Sequence, residues 1–134
     1  MLPVCKMLVK HGFTLYATRG TAAHLLEHDV PVVPVGWPDE PTPENLSLYE
    51  KTASNSSLLL NALDLIRGRV VDYVVNIPKN LSSTELSNDY DIRRSAIDYN
   101  VPLLTNTRLA DAFLQAVCRL EMGEKMEIKS WDEY

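Results

Sequence analysis

The chain has 134 residues, 46% hydrophobic and 23% charged, with a formal net charge of −5; this length suits one domain with one core, and this composition excludes disorder and fibrous repeats. The acidic balance, with no Lys/Arg stripe interleaved with aromatics, sets nucleic acid aside as a partner. No apolar run reaches the ~18–20 residues of a membrane span, and no secretion signal opens the chain, so a soluble cytoplasmic protein that does not meet the membrane is expected.

Leu2, Val4, Cys5, Leu8 and Val9 fall on one side of a helix, which the spacing predicts over 2–11 with Gly12 as its stop. Residues 13–17 read as a short strand, and Ala22, Ala23, Leu25 and Leu26 repeat at helical spacing over 20–28. Residues 30–35 are a β-branched run interrupted by two prolines, the kind buried in parallel sheets. Pro38, Pro41 and Pro43, among acidic and small polar residues, predict a long mobile loop over 36–57. A helix over 58–67 closed by Gly68, a strand over 70–75, a polar loop over 76–89 and a helix over 89–100 follow. After a short strand at 102–104, residues 106–122 form an amphipathic helix with Leu109, Ala112, Phe113, Ala116, Val117 and Leu120 on one face. The last dozen residues either add a short strand or fray.

This alternation implies an α/β fold: a doubly wound, mostly parallel sheet with helices on both faces. One domain over 1–134 is expected, its core at 1–120 and a tail at 121–134. Such folds open on a strand, whereas this chain opens on a helix, so a first strand is expected to be lost by truncation or to belong to a larger polypeptide.

Ligands of doubly wound sheets sit outside the carboxyl ends of the strands, here at 18–20, 36–57, 76–89 and 105–107. In Ala17-Thr18-Arg19-Gly20-Thr21, free backbone N–H groups and two hydroxyls meet at a helix start that favours a phosphate or carboxylate. The alternative is that Thr18 and Thr21 only cap the helix. Trp37, after a buried strand, either walls a pocket or packs over the sheet edge. Asn76 and Asn106 bring amides to the same edge, Asn106 serving equally well as a helix cap. Arg93 and Arg94 are read as early in a helix, where the dipole disfavours positive charge, which suggests either a specific partner or salt bridges to Asp89, Asp91 or Asp98.

Cys5 and Cys118 have no metal-like or CxxC spacing and read as buried free thiols of a reducing compartment. His24 and His28 share a helix face, but no cysteine or carboxylate completes a metal set at a recognisable spacing, so these and His11 read as ordinary histidines and no metal is expected. No nucleophile–base constellation, P-loop or GxGxxG occurs, and no catalytic residue is assigned.

Five ordered motifs then carry a resemblance: Leu15-Tyr16-Ala17-Thr18-Arg19-Gly20-Thr21-Ala22, Val35-Gly36-Trp37-Pro38, Asp72-Tyr73-Val74-Val75-Asn76-Ile77-Pro78, Tyr90-Asp91-Ile92-Arg93-Arg94-Ser95-Ala96 and Val101-Pro102-Leu103-Leu104-Thr105-Asn106. Together they resemble the methylglyoxal-synthase-like domain that closes the large chain of carbamoyl-phosphate synthase. The resemblance implies an allosteric domain that binds UMP, IMP or N-acetylglutamate and regulates carbamoyl phosphate synthesis from bicarbonate, ATP and glutamine or ammonia. It implies no cofactor in this domain; ATP with Mg or Mn would serve the parent ligase, whose synthetase domains and glutaminase small subunit would be the partners. By the same resemblance Thr18, Gly20 and Thr21 hold the effector's anion. Trp37 and Asn76 match pocket positions of the acetylglutamate-responsive subgroup, Lys79 and Asp89 stand where that subgroup carries asparagines, and Thr105 and Asn106 complete the edge. Arg19, Arg93 and Arg94 would supply anion or interdomain contacts. The lysine that follows the first strand in nucleotide-responsive members is not among these residues. Methylglyoxal synthase itself, a lyase acting on dihydroxyacetone phosphate, is the alternative. Its Gly-Gly-Asp segment has no counterpart after Val35, where the chain reads Gly36-Trp37-Pro38-Asp39, and Asn76-Ile77-Pro78 replaces its Asp-Pro-Leu.

Overall fold

A computed structural model describes residues 1–39, 60–78, 82–123 and 129–133, over which helices alternate with short strands. The order is α1 (Leu2–Lys10), β1 (Tyr16–Thr18), α2 (Arg19–Glu27), β2 (Val33–Gly36), β3 (Leu60–Asn61), α3 (Ala62–Arg67), β4 (Val74–Val75), α4 (Ser83–Asp98), β5 (Leu103–Leu104) and α5 (Thr107–Glu121), with a 3-10 turn at Trp131–Glu133. Every pairing among the described strands is parallel. β2 lies between β1 and β3, with Thr18 opposite Val35 and Gly36 opposite Asn61, and β4 pairs with β5 through Val75 and Leu104. The α/β class and the parallel strands agree with the sequence reading.

A repeated helix ending turns the chain into each next segment. Phe13, Val30, Val70 and Val101 each donate their N–H to the carbonyl five residues back, on Leu8, Leu25, Leu65 and Ala96. The residue before each, namely Gly12, Asp29, Arg69 and Asn100, takes positive φ, between 50° and 86°. These are Schellman endings, in which an apolar residue just past the helix folds back on its last turn. Of these four positions only the one after α1 holds glycine. Gly68, expected to stop α3, has φ −75°, and Arg69 carries the left-handed conformation instead.

The core has two clusters. Val4 and Leu8 of α1 meet Leu114 and Cys118 of α5, while Ile66 of α3, Val74 of β4, and Ile92 and Ala96 of α4 join Val101. Along β5, Leu103 packs on the second cluster, and strand alternation turns the buried Leu104 to the opposite face. Helices therefore cover both faces of this pair of strands, as doubly wound packing requires. Cys5 is half-buried and Cys118 is buried, and neither is in a disulfide. No helix among the described residues is long and apolar enough to cross a membrane.

Several boundaries differ from the sequence reading for physical reasons. Leu60 does not begin a helix: Leu60 and Asn61 pair with β2, and α3 starts only at Ala62, where the Asn61 side chain accepts from the Leu63 N–H at 2.8 Å. Helix α4 starts at Ser83, six residues before the expected Asp89, because its first turns are polar and give no apolar period. On α5 the buried residues are Ala110, Leu114 and Cys118, whereas Leu109, Ala112, Ala116 and Leu120 of the expected face are exposed. Apolar residues wrap most of that helix, so periodicity alone does not select the side that α1 covers. Nearly all of the predicted loop at 36–57, from residue 40 onward, lies outside the described residues.

Candidate functional site

The carboxyl ends of the strands gather most of the candidate residues. β1 ends at Thr18, which is the N-cap of α2, with extended backbone (φ −62°, ψ 154°) and no side-chain cap hydrogen bond. Arg19, Gly20 and Thr21, all exposed, form the first turn of α2. A Cβ built on Gly20 would meet nothing within 4 Å, so the space over this turn is open. The first N–H groups of this helix lack intrahelical acceptors and lie at the positive end of its dipole.

Beside Thr18, β2 runs Val35-Gly36 into Trp37. The Trp37 ring packs on the cluster of Ile66, Val74, Ile92, Ala96 and Val101, and its carbonyl accepts from Asn61 Nδ2 at 3.0 Å. Trp37 is thus anchored from below by the core and from the side by β3. Two residues on, Asp39 accepts from Asn88 Nδ2 of α4 at 3.0 Å, which ties the end of β2 to that helix.

At the end of β4, Asn76 sits between opposite charges. Its Nδ2 donates to Asp89 Oδ1 at 2.8 Å, and its Oδ1 accepts from Arg93 Nε at 2.8 Å. Asn76 and Asp89 are 7% and 6% exposed, so the amide transmits charge complementarity between a buried carboxylate and a half-buried guanidinium. The Asn76 N–H bonds the Leu104 carbonyl at 2.9 Å, which sets Asn76 next to Thr105 at the end of β5. Thr105 is exposed, and Asn106 caps α5, its Oδ1 accepting from the N–H groups of Arg108 and Leu109.

Because α4 begins at Ser83, Asp89 is helical rather than part of a loop, and Arg93 and Arg94 lie well past the first turn. The dipole conflict expected from an early position does not arise. Arg93 has the specific partner Asn76, whereas Arg94, exposed, pairs with Asp98 at 2.8 Å across one helical turn, and that hydrogen bond holds its guanidinium further above the usual range. Lys79 lies outside the described residues. Sequence reasoning missed Asn61 and Asn88. Asn61-Ala62-Leu63-Asp64 does carry a readable signal, a capping residue followed three positions later by a carboxylate; Asn88 carries none.

A carboxylate does stand with the paired histidines: side-chain ligand atoms of His24, Glu27 and His28, all exposed, lie within 4.8 Å of one another. Glu27 was overlooked because its spacing, three residues after His24 and one before His28, is not that of a familiar metal motif.

The model of the MGS-like domain family matches residues 1–105, and the chain belongs to that family. Among its relatives, the human protein "Carbamoyl-phosphate synthase [ammonia], mitochondrial" is 34% identical over 133 residues, covering 99% of this chain and 8% of the relative. "Multifunctional protein pyr-3" of Neurospora crassa is 32% identical over 93% of this chain and 7% of its own length. "Carbamoyl phosphate synthase large chain, C-terminal section" of Methanopyrus kandleri is 32% identical over 117 residues, 87% of this chain and 18% of the relative. The chain therefore spans less than a fifth of each of these relatives.

Proposed function

We propose that this chain is the allosteric domain of a carbamoyl-phosphate synthase large chain, and that it senses a small anionic metabolite of the UMP, IMP or N-acetylglutamate kind. The observation that carries the reading is the start of α2: Thr18, without a side-chain cap bond, opens a turn with free space above Gly20, beside the anchored Trp37 segment. That arrangement offers hydroxyls, N–H groups and a positive dipole end to an anion, and an aromatic neighbour to the rest of a ligand. The names of the relatives support the parent enzyme class. Synthetase domains that use ATP with Mg or Mn, and a glutaminase small subunit, would then be the partners that the effector regulates.

The test is a set of thermal unfolding curves with UMP, IMP and N-acetylglutamate, because a ligand that binds only the native state raises its stability. At least one is expected to raise the midpoint in a saturable way. No shift with any of the three would sink the sensing reading. A lyase reading predicts instead that the chain converts dihydroxyacetone phosphate to methylglyoxal. The carboxylate nearest that role in sequence, Asp39, is engaged by Asn88, and we expect no turnover above background.

A further inference from the structure

At the opposite end of α2 from the open turn, His24, Glu27 and His28 occupy one face at spacings of three and four residues. We propose that these three side chains form a surface site for one divalent first-row transition-metal ion of the zinc class. Zinc takes nitrogen and oxygen donors at roughly 2.0–2.2 Å, which places the donors of a tetrahedral site about 3.4 Å apart. The donors here already lie within 4.8 Å, on exposed side chains with room to rotate the rest of the way.

Three independent features favour a cation at this spot. The two imidazole rings are adjacent, with centroids 4.5 Å apart. His28 Nδ1 lies 2.8 Å from the His24 carbonyl oxygen. A carbonyl only accepts, so Nδ1 carries the hydrogen, which leaves Nε2 as the nitrogen that a metal would take. A ligating histidine needs this same tautomer, with its other nitrogen donating to a backbone carbonyl. Finally, His24 lies in the last turn of α2 and His28 is its C-cap, at the negative end of the helix dipole. Glu27 adds a full negative charge, so the donor set is two neutral nitrogens and one carboxylate. Three protein ligands leave at least one coordination position for water or a further donor, as in open zinc sites. His11, on α1, is not part of this cluster.

Calorimetric titration of the tag-free chain with Zn²⁺ tests the site. One ion per chain is expected, with His24→Gln and His28→Gln each weakening binding at least tenfold, Glu27→Gln weakening it by a smaller factor, and His11→Gln leaving it unchanged. Because all three ligands are exposed, the variants are expected to keep the wild-type circular dichroism spectrum. Absence of zinc uptake by the wild-type chain would overturn the proposal. So would wild-type affinity in a folded His24→Gln/His28→Gln double variant, since zinc would then be held elsewhere, for instance by the thiols.

Discussion

Asn76 has one orientation available to it. Its amide must turn nitrogen to Asp89 and oxygen to Arg93, and the reverse would set acceptor against acceptor and donor against donor. Asn76→Ala strands a buried carboxylate, at a cost of about 1–3 kcal/mol in unfolding free energy. Asn76→Asp keeps the shape but sets a second carboxylate against Asp89, and urea denaturation at neutral pH is expected to find it less stable than the wild type, with part of the loss recovered in acid. The sequence named Asn76, Asp89 and Arg93 separately, but their union depends on α4 passing the end of β4, which no local pattern announces. Cys5 offers a second check at this scale. Burial pushes its thiol above the ordinary value; the terminal amino group offsets part of this, and Asp111 adds a smaller push upward. The raised value means that the folded state resists the thiolate. The stabilisation is therefore full below the ordinary thiol value, roughly pH 8.5, and is lost as pH rises through the raised one. Stability of the wild type should fall more steeply than that of Cys5→Ala as pH is raised from 8 to about 10, and Cys5 should alkylate more slowly than a free peptide thiol at pH 8. Parallel pH curves for the two proteins would refute the assignment.

Among the elements, helix endings were the least legible feature. Gly12 was readable as a stop because glycine alone takes positive φ without cost, but Asp29, Arg69 and Asn100 do the same work with side chains attached. What specifies those endings is the apolar residue that follows, Val30, Val70 or Val101, bonded back to the last helical turn. Asn100 tests this directly. It is exposed with φ 54°, so Asn100→Gly should be tolerated, whereas Asn100→Val forces a β-branched residue into the left-handed region and should cost about 1–2 kcal/mol in thermal or urea unfolding. Equal stability of the two variants would show that the turn relaxes. Four of the five described strands are legible in order, β2 and β4 through their β-branched runs, whereas β3 is hidden at the head of a leucine-rich segment that reads as a helix, and the paired segments are shorter than the runs that mark them. Helix α4 was cut short because its first turns, Ser83 to Asp89, bury polar side chains, Asn88 and Asp89, that serve the site rather than the core.

For the molecule as a whole, the ends of the three-stranded and two-stranded sheets are tied together through Asn88 and Asp89 of α4. Thr18 is paired beside Val35, Gly36 beside Asn61, Asn61 holds Trp37, Asp39 holds Asn88, and Asn76 adjoins Thr105. An anion bound over the first turn of α2 would thus rest on a platform braced to α4, a helix that also presents the exposed apolar side chains Leu86, Tyr90 and Ile97. Four of the five motifs that carry the family resemblance fall on these strand ends, and the fifth lies on α4. The account stands on the hydroxyls of Thr18 and Thr21. Thr18→Val/Thr21→Val keeps size and branching, and Thr18 makes no cap bond to lose, so the fold should survive. Each hydrogen bond to a charged ligand is worth roughly 1.5–3 kcal/mol. Titration calorimetry with whichever of UMP, IMP or N-acetylglutamate binds the wild type should find the double variant weaker by about 100-fold or more. An unchanged affinity in the folded double variant would contradict the account and place the anion away from the start of α2.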